Sequence, residues 1–292
     1  MDLIARIADV IVPVFLIVAI GYGYARRRPT DMSAFNRIAL DVLAPLLSYS
    51  ALASRDFELA RHLPLLSAGA ALILGCGLLA WLLARVVGAQ ARTLVPVVMF
   101  NNSGNMGLPL ALLAFGPANF GAAVALFAIG NLLHFSLGAR ITSAAARTRD
   151  LLLSPLMIAT ALGFLSALSG LRPPEVLLSG MKLLGDASLP LMLFALGVRL
   201  TAFTRDGLAL GLLGALARPL IGLALGLLLA WCLDLQGAAR GQLLLFAALP
   251  PAVMQYLLAD RYHQEPEKVA ASIMVGNALA VVFVPLALAL GL

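Results

Sequence analysis

Charge is scarce in this chain. Only 12% of its 292 residues are Asp, Glu, Lys or Arg, against roughly a quarter in an average soluble domain. Too few polar residues remain to coat a water-soluble particle of this size. A soluble enzyme, a nucleic-acid binder and an extracellular disulfide scaffold are therefore excluded. Cysteine is also rare: Cys76 and Cys232 both lie in apolar runs and read as small hydrophobic residues rather than a disulfide. No Walker-type phosphate loop, His-Glu-x-x-His or Gly-x-Ser-x-Gly stretch occurs.

Hydrophobic residues make up 62% of the chain and the mean hydropathy is +0.99. A bilayer-spanning helix takes about 20 apolar residues. Ten apolar runs fall near 10–25, 34–53, 63–87, 94–115, 118–141, 151–170, 175–198, 207–233, 240–259 and 268–290. The breaks are Arg26-Arg27-Arg28-Pro29, Arg55-Asp56, Gly116-Pro117, Arg172-Pro173-Pro174 and the charged stretch 260–268. Met1 to Asp9 carry mixed charge with no small-residue cleavage site after the run, so a retained first helix is expected rather than a signal peptide.

The net charge of +6 is explained by basic clusters between the runs, where positive charge sets orientation. Loops after odd-numbered runs hold most of the cations, among them Arg26, Arg27, Arg28, Arg85, Arg140, Arg199 and Arg205. The opposite side holds only Arg6, Arg55, Arg61, Arg172 and Arg240. Both termini are accordingly expected outside the cytoplasm, in an inner membrane.

Four sequence pairs recur in order at offsets of 141 to 146 residues. Asp41-Val-Leu-Ala-Pro45 matches Asp186-Ala-Ser-Leu-Pro190, and Gly130-Asn131 matches Gly276-Asn277. Leu108-Pro109 matches Leu249-Pro250, and Pro13 and Gly21 match Pro155 and Gly163. The expected architecture is thus an all-α polytopic membrane protein of two five-helix repeats, 1–145 and 146–292. An odd number of spans inverts the second copy, as in many secondary transporters whose sites lie at the midplane where broken helices meet.

The fourth run carries Asn101-Asn102-Ser103-Gly104-Asn105-Met106-Gly107-Leu108-Pro109. Pro109 leaves the carbonyl of Asn105 without a helical donor, and Gly104 and Gly107 weaken the same turn. In the ninth run Pro250 and Pro251 free the carbonyls of Phe246 and Ala247, with Gln255 and Tyr256 one turn beyond. Non-helical backbone at this depth needs protein or a watery cavity around it. A broken helix also exposes a half-helix N-terminus suited to a carboxylate. Asn101, Asn102, Ser103, Asn105, Gly107, Pro109, Pro250, Pro251 and Gln255 are the candidate binding residues. Asn131 and Asn277 join them, with interhelical hydrogen bonding as their other open role.

Asp41, Asp186 and Lys182, four residues before Asp186, fall inside runs, where ionisable groups are expensive. Two roles are open: a structural Lys–Asp pair, or proton exchange during transport. His134 is read as a packing residue or a relay, and Arg218 as a snorkelling or interface cation, or one near the crossing that attracts an anionic substrate. An intramembrane aspartyl protease built on Asp41 and Asp186 is the enzyme alternative. It is disfavoured because Leu183 replaces the first glycine of a Gly-x-Gly-Asp pattern.

The Asn-x-Gly-x-Pro stretch, the Pro-Pro of the ninth run and two five-span halves resemble the auxin efflux carrier family. That family includes plant auxin exporters and bacterial malate and malonate permeases. The resemblance implies a crossover fold similar to that of sodium/bile-acid symporters, with the fourth and ninth runs crossing at their prolines. It also implies a scaffold from about 1–55 and 150–200, a moving transport part from about 62–143 and 207–291, and a homodimer. The long loop of the plant exporters is absent, since only about ten residues separate the fifth and sixth runs. The expected cargo is a small organic anion such as malonate, malate or an auxin-like acid. No cofactor, nucleic acid, metal or ATPase subunit is expected. H⁺ or Na⁺ remains open as coupling ion, the latter as in a bile-acid-type symporter.

Overall fold

A computed structural model describes residues 3–55, 57–202 and 207–291. Met1, Asp56 and Arg205, used above to place breaks and orientation, lie outside the described residues. Every regular element among the described residues is helical. Helix α1 is Leu3–Arg27, longer than its apolar run. Helix α2 joins Ser33–Ile38, a π-helical turn at Ala39–Leu43 and Ala44–Leu52. Helix α3 is Leu59–Val87. The fourth run is divided into α4 (Ala91–Met99) and α5 (Ser103–Phe115). Helix α6 is Pro117–Thr142. After a short turn at Thr148–Leu152 come α7 (Pro155–Ser169), α8 (Glu175–Arg199) and α9 (Leu208–Cys232). The ninth run is divided into α10 (Gly237–Ala248) and α11 (Val253–Arg261), and α12 is Pro266–Gly291.

Six of these helices, α1, α3, α6, α8, α9 and α12, are long and apolar enough to cross a bilayer. The chain is a polytopic membrane protein. Gly116 closes α5 at φ 75°, where a side chain would be strained, so the boundary between the fourth and fifth runs falls where Gly116-Pro117 placed it. The sixth run begins at Pro155 rather than 151, because Ser154 is extended and the helix after it starts with a proline, which suits the first helical position.

Helices α1, α2, α7 and α8 pack together, α1 on α8, α8 on α2 and α2 on α7. Helices α3, α4, α6, α9, α10 and α12 form a second cluster, with α3 on α9 between them. Lipid tails supply no hydrophobic drive between helices, so close approach through small residues does that work. A Cβ on Gly21 would stand 2.2 Å from the carbonyl oxygen of Phe194, and one on Gly197 2.0 Å from that of Val18. Gly163 in α7 likewise lies against Leu52 and Tyr49 of α2. Gly21 and Gly163, matched in sequence, thus bring α1 to α8 and α7 to α2 in the same way.

Candidate functional site

The two interruptions meet. Helix α4 ends at Met99 and α5 begins at Ser103, while α10 ends at Ala248 and α11 begins at Val253. The unwound peptides between them pair antiparallel in an isolated bridge, Asn101 to Pro251. The Asn102 N–H donates to the Pro250 carbonyl at 2.8 Å, and the Ala252 N–H to the Phe100 carbonyl at 3.0 Å. The side-chain amide of Asn101 donates to the Phe246 carbonyl at 2.7 Å. Backbone groups stripped of helical partners are thereby satisfied within protein, the condition for irregular chain at this depth.

The position of the first break corrects the reading from Pro109. That residue lies within α5, after a π-helical turn at Ser103–Gly107, two turns beyond the interruption. The π-helical turn before it shifts the backbone hydrogen bonds, with the Leu108 N–H donating to the Ser103 carbonyl, so a residue without an N–H is carried inside the helix and the chain is not interrupted there. The match of Leu108-Pro109 to Leu249-Pro250 fails for the same reason: only the latter pair is unwound. At the second break the reading from Pro250 and Pro251 holds, and the freed carbonyls are those of Phe246 and Ala247.

Below the crossing lies a cavity of about 220 Å³, large enough for several waters. Asn101, Asn102, Ser103, Gly104 and Asn105 form one wall, Val253 and Met254 another, and Asn131 and His134 a third. The first N–H groups of α5 and α11 have no intrahelical acceptor, and the positive ends of both half-helices converge here. Asn131 keeps a buried side-chain N–H group without a partner. Asn277, which matches it in sequence, is engaged instead, accepting from the Asn102 amide at 3.3 Å and donating to the Ile273 carbonyl at 2.7 Å. Gly276 makes the space for this, since a Cβ there would lie 2.5 Å from Pro251 Cδ.

Arg199, at the end of α8, and Asn36, near the start of α2, also line this cavity. Both continue into a wider one of about 510 Å³ that ends at Tyr256, Asp260 and Glu267. Among the described residues Arg199 is the cavity's one cation and has no ion-pair partner. Sequence reasoning used it only for orientation. Its signal was present: Met192, Ala195 and Arg199 recur at helical spacing on the cavity face.

The remaining candidates, His134 excepted, lie outside the cavity wall. Gln255 is fully buried behind the wall, where His134 Nε2 meets its carbonyl oxygen at 3.1 Å and its amide donates to Thr142 at 3.0 Å. His134 stacks on Phe100 with ring centroids 4.2 Å apart, so its packing role is the observed one. Gly107 faces α10, and a Cβ there would lie 2.7 Å from Leu249. The burial expected of the acidic pair is absent. Asp41 is exposed, and Asp186 is paired with Lys182 at 2.6 Å on the outer face of α8. Gly185, Leu189 and Met192 turn inward from the neighbouring face of the same helix. An exposed Asp41 and an ion-paired Asp186 do not fit the proton-sharing dyad a protease needs. Arg218 does not snorkel: it is fully buried.

A cavity walled by amide donors, two helix N-termini and one guanidinium, inside a bundle of bilayer-length apolar helices, is the kind of interior a membrane transport protein has. The chain matches the membrane transport protein family over residues 7–151 and 139–288. It belongs to that family, the auxin efflux carrier family its sequence resembles. An uncharacterized transporter of Methanocaldococcus jannaschii is 23% identical over 95% of this chain and 96% of its own length. A protein of Rhizobium meliloti named "putative malonate transporter" is 26% identical over 95% of this chain and 93% of its own.

Proposed function

We propose that this chain is a secondary transporter or facilitator that carries a small carboxylate across the inner membrane by alternating access. The convergence of the α5 and α11 N-termini with Asn131 and Arg199 on one cavity carries this reading. Amide and backbone donors suit carboxylate oxygens, and the guanidinium suits their charge. The name of the Rhizobium relative favours a dicarboxylate of malonate size.

The proposed architecture is ten spans in two inverted repeats, 1–145 and 146–292. Its support is the paired packing of α1 on α8 and α7 on α2, together with the antiparallel crossing. The cluster of α1, α2, α7 and α8 serves as scaffold, and the other six spans move against it. Both termini lie outside the cytoplasm, so the cavity mouth at Asn36, Arg199 and Glu267 opens to the cytoplasmic side. Exposed Asp41 and the Lys182–Asp186 pair, at span depth on the scaffold's outer face, fit coverage by a second copy in a homodimer. Labelled malonate and malate uptake into proteoliposomes tests the function. Uptake slowed by Asn105→Ala is the expected result, and no flux of either acid with intact protein in the membrane refutes it.

A further inference from the structure

Two carbonyls freed by Pro250 and Pro251 are already occupied by a cation that belongs to the protein. From α9, Arg218 donates through Nη2 to the Phe246 carbonyl and through Nη1 to the Ala247 carbonyl, each at 3.2 Å. The Asn101 amide takes the second lone pair of the Phe246 oxygen at 2.7 Å. Arg218 has 0% exposure, and its Nη1 also lies 3.6 Å from Cys76 Sγ of α3. Gly222, one turn further along α9, lets the helices close: a Cβ there would stand 2.1 Å from the Ala247 oxygen and 2.5 Å from Nη1. No carboxylate pairs with this guanidinium among the described residues. Its charge is met by the C-terminal end of α10, where unpaired carbonyls carry partial negative charge.

Unwound carbonyls and half-helix C-termini are the groups that coordinate Na⁺ in transporters with broken helices. We propose that Arg218 is a tethered counter-cation for the α10–α11 break, filling the carbonyl site that a coupling Na⁺ would need. The fork of a guanidinium reaches two carbonyls at once, which a lysine ammonium on a flexible stem does less well. Arg218 is a positioning residue: it holds the crossing in register with Asn101 and touches no cargo. Cargo movement then proceeds without sodium at this site, a statement that rests on the transport function proposed above.

Melting of the purified protein in detergent tests the assignment without any substrate. Wild-type melting should be the same in sodium and choline chloride at equal ionic strength. Arg218→Ala should melt roughly 5 °C lower or more, since two buried acceptors lose their donors. Millimolar guanidinium should raise that variant's melting point, whereas tetramethylammonium should not, and Arg218→Lys should fall between wild type and Ala. Stabilisation of wild type by sodium over choline would overturn the proposal, as would an Arg218→Ala protein indifferent to guanidinium. If Arg218→Ala yields no folded protein, the wild-type sodium comparison decides. Malonate uptake by wild type should likewise be equal in the two salts. Absence of uptake under both, with the melting pattern intact, refutes the transport reading and leaves the assignment of Arg218 standing.

Discussion

Replacing Arg199 with Gln removes the positive charge from the cavity wall while keeping a polar side chain of similar reach. Two unit charges about 4 Å apart attract by about 4 kcal/mol at an effective dielectric constant near 20. Part of that is already spent on stripping water from the ions, so a charged hydrogen bond nets about 1.5–3 kcal/mol. The expected loss of affinity for a small carboxylate is therefore roughly tenfold to 150-fold. Initial rates of malonate uptake into proteoliposomes over a concentration series should show this as a raised KM. Arg199→Lys should lie between, because it keeps the charge and loses the bidentate fork. Among the described residues Arg199 makes no ion pair, so the melting point of Arg199→Gln should hardly move. A KM within about twofold of wild type, at equal protein density, would refute the assignment of Arg199 to cargo binding.

Asn131→Leu should melt no lower than wild type, because it deletes a buried amide that has no partner. The same variant should take up malonate several-fold more slowly, and a variant that transports normally would remove Asn131 from the site. Gly197→Val should destabilise the protein by about 1–3 kcal/mol through overpacking, since the added Cβ would fall 2.0 Å from a carbonyl of α1; melting in detergent reads this. Glu265 lies in the α11–α12 loop. Burial pushes its carboxyl up, but hydrogen bonds from Lys268 and Thr93 outweigh that and hold it below the usual glutamate range. A lowered folded value stabilises fully above the unfolded one, near 4.3, and is lost as pH falls through the lower folded one. Glu265→Gln should therefore melt below wild type at neutral pH, and the gap should close on acidification. A gap independent of pH would refute it.

Apolar runs and loop breaks were legible because bilayer length and hydropathy act locally, residue by residue. The unwinding at Phe100–Asn102 was not, because it depends on pairing with Pro250 and Ala252, some 150 residues away in sequence. Pro250-Pro251 was readable, since a missing N–H frees a carbonyl four residues back whatever surrounds it. Pro109 misled by the same rule, as the π-helical turn before it takes up the missing donor without unwinding the helix. Asp41 and Asp186 show a further limit: their presence inside apolar runs was plain, but the face they occupy is set by which helices pack on α2 and α8. Arg199 stands at a helix end, where orientation and cargo binding both call for a cation.

Substrate protection of a cysteine placed in the cavity tests most directly whether cargo sits at the crossing. Asn105→Cys, made with Cys232→Ser and with buried Cys76 retained, would be labelled in proteoliposomes by a small charged thiol reagent. Saturating malonate should slow that labelling several-fold, and a neutral analogue of the same size should not. Labelling at the same rate with and without malonate, in protein that still takes malonate up, would place the cargo elsewhere and contradict the account.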